Sequence, residues 1–248
     1  MSLIAVLLLL AHAGMSFGGD LRVVTESWPP YTYSENGEIK GVVTEIVEAT
    51  LNRAGLDYSI ELYPWARAYD IAKNNENVLI YSILKLPNRE GLFKWIHLDG
   101  LRTAMCLFRP CHRTDITACT LEEARFYRIG VTRETSTHHF LQAKGFVEGA
   151  NLFPVNCEEQ NYLKSSPETN RIDFTTGDRL SLAHWLRDAG LPTDYWVAQV
   201  PLFQEDFYMA FGIRTPDGLV DRVRRALREM REEGEFAAIV DKYSRLYQ

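Results

Sequence analysis

The sequence predicts an α/β protein with a mostly parallel sheet, arranged as two lobes with the second inserted into the first. Two observations carry this. From Leu21 onward, short apolar strands alternate with amphipathic helices, the pattern of βαβ units. Near Thr103 the pattern restarts, with no internal repeat and no low-complexity linker in between. The length agrees, because 248 residues make one large domain or two modest ones at roughly 100–200 residues each.

The N-terminus is read separately. Leu3 to Ala11 is an apolar run followed by Ala11-His12-Ala13, a short hydrophobic region with an A-x-A cleavage pattern. It carries no Lys or Arg before the run, and cleavage could fall later, near Gly18 or Gly19. The run is too short for a membrane anchor, which needs about 20 apolar residues. Residues 1–18 are therefore expected to be a signal peptide, and the mature protein to be periplasmic.

The mature chain opens with a β-branched strand, Leu21–Thr25, which runs into Trp28-Pro29-Pro30-Tyr31, where two prolines stop regular structure. Asn36-Gly37 is a turn. Val43, Ile46, Val47, Leu51 and Ala54 share one helical face, and Gly55 ends that helix. Tyr58–Leu62 alternates as a strand, Trp65 to Lys73 reads as a helix, and Val78–Tyr81 is an apolar strand followed by an irregular polar segment. In the second lobe, strands are expected at Met105–Phe108, Arg128–Val131, Asn151–Val155 and Arg171–Phe174. Thr120 and Glu123 form a capping box, and Thr135-Ser136-Thr137 caps a helix ending at Gly145. Helices are expected at Glu158–Lys164 and Leu180–Ala189, then strands at Tyr195–Val200 and Phe207–Gly212. Thr215 reads as an N-cap with Pro216 at the first helical position. The helix that follows turns Leu219, Val220, Val223, Ala226, Leu227 and Met230 inward and breaks at Gly234, before a final helix.

Composition excludes some function classes. The apolar share is 46% and the charged share 24%, ordinary for a soluble globular protein. A net charge of −6 does not suit a nucleic-acid binder. Of the four cysteines, Cys111 and Cys119 flank a polar loop and are the expected disulfide pair; free thiols at these and at Cys106 and Cys157 fit as well. A zinc site from Cys106, Cys111, His112 and Cys119 lacks the usual CxxC or HxxxH spacing, and no cofactor is expected. His138 and His139 are adjacent, and helix neighbours point about 100° apart, so they make a poor chelate.

One stretch concentrates binding chemistry. Pro64 to Arg89 sets Trp65 and Arg67 at the start of a helix–strand unit and Arg89 beyond its end. Loops at strand ends are where α/β folds hold ligands. The stretch is read as half of a pocket for a small anionic or zwitterionic solute.

Several segments resemble family 3 extracellular solute-binding proteins, the polar-amino-acid binding proteins of ABC transporters. They are Leu21–Tyr33, the Gly41-Val42-Val43-Thr44-Glu45-Ile46 helix entry, Ser82…Pro87-Asn88-Arg89-Glu90 with Phe93-Lys94-Trp95, Arg128–Val131 with Thr135–Thr137, Arg171-Ile172-Asp173…Asp178, and the closing Ala226–Gly234…Lys242-Tyr243. The likeness covers nearly all of the mature chain in order. It implies a two-lobed type II periplasmic-binding-protein fold with a two-strand hinge, crossing near Gly100–Thr103 and Val200–Gln204. The first lobe would then span residues 19–102 and the second 103–200, with residues 201–248 returning to the first. The implied partners are a small carboxylate or amino acid and an ABC permease in the inner membrane, and the implied state is a monomer.

The resemblance also assigns residues. Arg89 matches the arginine that clamps the ligand carboxylate, for which a planar fork of donors suits two oxygens. Ser82 matches a hydroxyl or backbone contact on the same lobe. Trp28, Tyr31 and Trp65 match an aromatic clasp, and Arg67 is either a second carboxylate partner or a surface group. Across the cleft, Thr135, Ser136 and Thr137 offer a helix N-terminus to an anion. Asp178 matches the acid that takes the ligand's amino group, or is simply an N-cap, and Glu26 could add an acidic contact. Leu84 and Leu86 stand where many such proteins have hydroxyls, Glu134 where they have glycine, and Thr25 where they often have aspartate; these departures suit a larger or less polar carboxylate. An enzyme on the same fold, similar to cyclohexadienyl dehydratase with Glu26 or Asp178 as acid/base, and a protein presenting ligand to a sensor are the alternatives.

Overall fold

The computed structural model describes residues 21–246, so the expected leader lies outside them. The first part of the chain forms β1 (Leu21–Thr25), a hairpin of β2 (Tyr33–Glu35) and β3 (Glu38–Lys40), α1 (Val42–Arg53), β4 (Tyr58–Leu62), α2 (Trp65–Asn74) and β5 (Val78–Leu84). A long strand, β6 (Phe93–Pro110), leads to β7 (Ile129–Thr132), α3 (Ser136–Ala143), β8 (Leu152–Val155), α4 (Glu158–Lys164), β9 (Phe174–Asp178) and α5 (Arg179–Asp188). A second long strand, β10 (Trp196–Gly212), returns to α6 (Asp217–Glu232) and α7 (Glu235–Leu246).

The strands form one eight-stranded sheet in the order β4-β1-β5-β10-β6-β9-β7-β8. It is parallel at both ends (β4, β1 and β5; β9, β7 and β8) and antiparallel through the middle. The middle is where the two lobes join. On β6, Leu101 and Met105 belong to the core of the first lobe and Leu107 to that of the second. On β10, Val200 packs in the second lobe and Phe207 in the first. Along and around this stretch β10 slips register against β6 at Ala198/Val200, Pro201/Phe203 and Asp206/Tyr208. Each irregularity breaks the ladder locally and bends the strand. The hinge-like segment is therefore paired backbone with faults in it, not free chain.

The amphipathic reading of α6 holds, and all six predicted inward residues are buried. Leu219, Val220, Val223, Leu227 and Met230 pack in the same core as Val43, Ile46, Val47 and Leu51 of α1. Each of these Leu, Val and Met side chains contributes roughly 1.5–3 kcal/mol on full burial. Arg222 then reaches from α6 to donate to the carbonyls of Ala54 and Gly55, which α1 leaves without partners at its end.

Some expectations are corrected. The strand expected at Arg171–Phe174 is Phe174–Asp178, because Asp173 is taken up in an ion-pair cluster and not in the ladder. The strand expected to end at Tyr81 continues to Leu84, with Ser82 in the left-handed region at φ 55°. Met105–Phe108 is only part of the 18-residue β6. Thr215 does not cap α6; its hydroxyl accepts from the backbone N–H of Asn77, and Pro216 is the N-cap. Cys111 and Cys119 form no disulfide, and all four cysteines are free. Both of that pair are exposed, and Cys119 Sγ instead lies near Gln199.

The cluster at Asp173 ties lobe 2 together. Its carboxylate accepts from the Arg128 backbone and guanidinium and from Arg113. Burial alone would raise its pKa, but these bonds outweigh it and bring the group down to about 2. A depressed carboxyl contributes stability above its unfolded value near 3.9 and loses it as pH falls toward the folded one. Asp173→Asn is expected to lower stability at pH 7 by about 1.5–3 kcal/mol, the range for hydrogen bonds to charged groups. In urea denaturation the gap to wild type should close as pH approaches 2; a gap that persists there would mean the loss is not one of charge.

Candidate solute-binding cleft

The two lobes meet face to face, and two hydrogen-bonded latches join them. The first is built on Asp178, the last residue of β9 and the N-cap of α5. One carboxylate oxygen accepts from Trp28 Nε1 and the other from the Tyr31 hydroxyl, both at 3.1 Å. The second of these oxygens also accepts from the backbone N–H groups of Leu180 and Ser181. Ser181 completes this latch by donating to the Pro29 carbonyl at 2.6 Å. Trp28 and Tyr31 are held for the purpose by an aromatic cluster with Phe207.

The second latch is the carbonyl of Glu134. It accepts from Trp65 Nε1 at 2.7 Å and from Arg89 Nη2 at 2.8 Å. Glu134, at the position where the resemblance leads one to expect glycine, adopts the left-handed conformation at φ 61° that glycine would take without cost. His138 secures this turn: its Nδ1 accepts from the Glu134 N–H, and its Nε2 is 2.9 Å from Glu148. Arg89 is 2% exposed, lies against the rings of Trp65 and Tyr69, and makes a longer contact to the Leu84 carbonyl. Burial lowers its pKa to about 10, which leaves it charged at neutral pH.

Between the latches lies a cavity of about 50 Å³. The first lobe contributes Glu26, Ser27 and Trp28 from the loop after β1. The second contributes Thr132, Thr135, Ser136 and Thr137 around the start of α3, Glu158 from α4 and Thr176 from β9, with Met105 of β6 between. Thr135 is the N-cap of α3 and accepts from the His138 N–H.

The acids around this cavity are perturbed. Burial raises Glu26 to about 8, against the opposing pull of Arg89. It raises Glu158 well above the usual carboxylate range, helped by repulsion from Asp178 and Glu26. Asp178 is raised as well, although its hydrogen bonds work against the shift.

The cleft thus gathers Glu26, Trp28, Tyr31, Trp65, Arg89, Thr135, Ser136, Thr137 and Asp178. It does not gather Arg67 and Ser82. Arg67 is exposed on α2 and stacks on the Tyr63 ring, 4.5 Å from its centroid. Ser82 is buried behind the site, paired with Thr32 at 2.9 Å. Sequence reasoning missed Glu158, which reads as an acid in the first turn of a helix, where acids are common for electrostatic reasons alone. It also missed Thr176 and the backbone carbonyl of Glu134. A carbonyl has no residue type to signal it; only the glycine-to-glutamate departure marked the position.

A two-lobed α/β fold, strung on two long strands and closed over a polar cavity, defines the class of hinge-closing solute binders. Within that class the chain belongs to family 3 of the bacterial extracellular solute-binding proteins, which it matches over residues 21–245. Solved structures with this fold include a histidine kinase sensor domain with similarity to periplasmic binding proteins, at a TM-score of 0.78 and 17% identity, over 90% of this chain and 95% of that one. The arginine-, lysine-, histidine-binding protein ArtJ from Geobacillus stearothermophilus aligns at 0.76 and 16% identity, over 90% and 94%. The ancestral amino acid-binding protein AncCDT-1, a precursor of cyclohexadienyl dehydratase, aligns at 0.74 and 15% identity, over 93% and 96%. No curated protein matches the chain.

Proposed function

We propose that the protein captures a small polar amino acid, or a related carboxylate, by closing its two lobes around it, and delivers it in the periplasm to an ABC importer. The observation that carries this reading is the position of the cavity. It lies at the junction of the lobes and is lined from both sides by charged and hydroxyl groups, so a bound solute is enclosed by closure. Arg89 and the start of α3 suit the carboxylate end, since a guanidinium and free helix N–H groups both favour anions. The amino acid-binding proteins of the same fold support the ligand class. A thermal-shift screen of amino acids, di-acids and polyamines tests this, because a specific ligand raises apparent stability. A solute that shifts the melting temperature with one-to-one calorimetric binding supports the reading; a screen in which no amino acid or carboxylate binds sinks it.

One observation favours a second reading, an enzyme related in fold to the dehydratases. Glu26 lines the cavity with its pKa raised to about 8, which suits a general acid or base near neutral pH. If the solute found by the screen is recovered chemically changed after incubation, and Glu26→Gln abolishes the change, this reading replaces the first.

A further inference from the structure

We infer that His138 makes closure of the lobes proton-linked: its neutral imidazole holds the second latch shut, and a proton taken up at Nδ1 releases it. The device lies outside the cavity, in the turn that carries the Glu134 carbonyl.

Hydrogen bonding fixes the tautomer. His138 is buried on α3, and its two ring nitrogens meet opposite demands. Nδ1 is 3.1 Å from the backbone nitrogen of Glu134, whose N–H can bond only to a bare ring nitrogen. Nε2 is 2.9 Å from Glu148 Oε1, an acceptor that a ring N–H satisfies. The neutral ring with its proton on Nε2 meets both. The imidazolium carries an N–H on each nitrogen, so it keeps Glu148 and loses Glu134.

The bond that is lost acts across the cleft. Glu134 is a non-glycine residue at φ 61°, a conformation that persists only where its surroundings hold it. Thr135 Oγ1 donates to the Thr132 carbonyl and the Arg133 N–H to that of Val155, which anchor the turn on either side. The N–H of Glu134 itself is held by His138. The carbonyl of the same residue accepts from Trp65 Nε1 and Arg89 Nη2 of the first lobe. Release of this one residue therefore loosens both cross-lobe bonds together.

The charges around the ring give the sign. Glu148 favours the imidazolium; Gln142 donates to the same oxygen, and Arg133 lies 3.6 Å from the other. His139, its ring centroid 5.7 Å away, directs Nε2 to the Glu134 carboxylate at 3.3 Å. All of these belong to the second lobe and travel with His138. Closure adds only Arg89, bonded to the Glu134 carbonyl, and the need for Glu134 to stay in place. Both oppose a proton on Nδ1. The open form thus takes the proton more readily, and by linkage proton uptake shifts the protein toward the open form. Acid would then release a bound solute. That consequence rests on the solute-binding reading; the test does not, because it is made without solute.

The experiment is a titration of the isotope-labelled mature protein between about pH 8 and 5, the interval in which imidazoles change charge. Nuclear magnetic resonance follows the His138 ring nitrogens and the Trp65 indole N–H, and small-angle X-ray scattering follows the radius of gyration. At the alkaline end Nδ1 should be bare and Nε2 protonated. On acidification the ring nitrogens, the indole and the radius should shift with one midpoint, the radius upward, and all three should reverse. His138→Asn offers a side-chain carbonyl to the Glu134 N–H but does not titrate, so it should stay compact across the interval. His138→Ala should be expanded throughout; if its melting temperature shows that it does not fold, His138→Asn decides alone. An indole and a radius that stay still while His138 gains its proton would overturn the inference. So would acid opening that survives in His138→Asn, which assigns it to His139 or Glu26. A wild-type protein already expanded at the alkaline end would also overturn it, because the latch then does not hold the lobes.

Discussion

Replacing Arg89 with alanine is expected to weaken solute binding by about 10- to 150-fold, which corresponds to the roughly 1.5–3 kcal/mol of a charge-assisted hydrogen bond. It should also lower the melting temperature without ligand. The guanidinium is 2% exposed, stacks on Trp65 and Tyr69, and donates across the cleft to the Glu134 carbonyl. Alanine would leave a void and strand that carbonyl with Trp65 as its remaining partner. The two effects separate in experiment. Arg89→Lys retains the charge but not the planar fork, so it should recover part of the stability and little of the affinity. If calorimetry with the solute shows an unchanged dissociation constant for Arg89→Ala while the melting temperature falls, Arg89 is a strut between the lobes and not a carboxylate clamp.

The second large effect is a dependence of stability on pH, in the absence of solute. Glu26 is raised to about 8 by burial, with Arg89 pulling it down and Glu159 pushing it up. Glu158 and Asp178 are raised too. A carboxyl with a raised folded pKa binds more protons in the folded protein than in the unfolded chain. Its contribution is therefore fully present below the unfolded value near 4.3 and is lost as pH rises through the folded one. Desolvation shifts the half-buried His139 and the buried His184 down, so they act with the opposite sign below about pH 6.5. Between pH 7 and 8 the histidines have discharged and the carboxyls dominate. Stability in urea should fall across that interval with a slope approaching about 1.4 kcal/mol per pH unit for each fully titrating carboxyl. Glu26→Gln should flatten it. An identical slope in wild type and Glu26→Gln would show that Glu26 is not protonated in the folded protein.

Much of the fold was legible because local pattern and tertiary demand agree. In α6 the 3.6-residue period of Leu219, Val223, Ala226, Leu227 and Met230 states the buried face directly. The long strands were not legible as single elements. Asp99-Gly100 in β6 and Pro201 in β10 are ordinary strand terminators, and only pairing of the two strands with each other carries both through. The start of β9 was misplaced because Ile172 and Asp173 alternate like a strand, whereas Phe174-Thr175-Thr176-Gly177-Asp178 carries a glycine and ends on an acid. In the cleft, residue types that stand out in a sequence, tryptophan, arginine and a hydroxyl triplet, were found. Glu158 was not, since its meaning depends on a neighbour 132 positions away, Glu26, and on burial that no local pattern encodes.

The two long strands also dictate the order in which the chain can acquire structure. β5 belongs to the first lobe and pairs with β1 on one side, but its neighbour on the other side is residues 207–211 of β10, which are synthesised only after the rest of the second lobe. Through β6, both lobes likewise wait for β10. A growing chain that lacks the final quarter has β5 as an open edge and neither lobe complete. Pairings of such sequence separation form late, because loop closure must precede them. A ribosome-bound chain of this protein is thus kept by topology from completing its native sheet until β10 arrives.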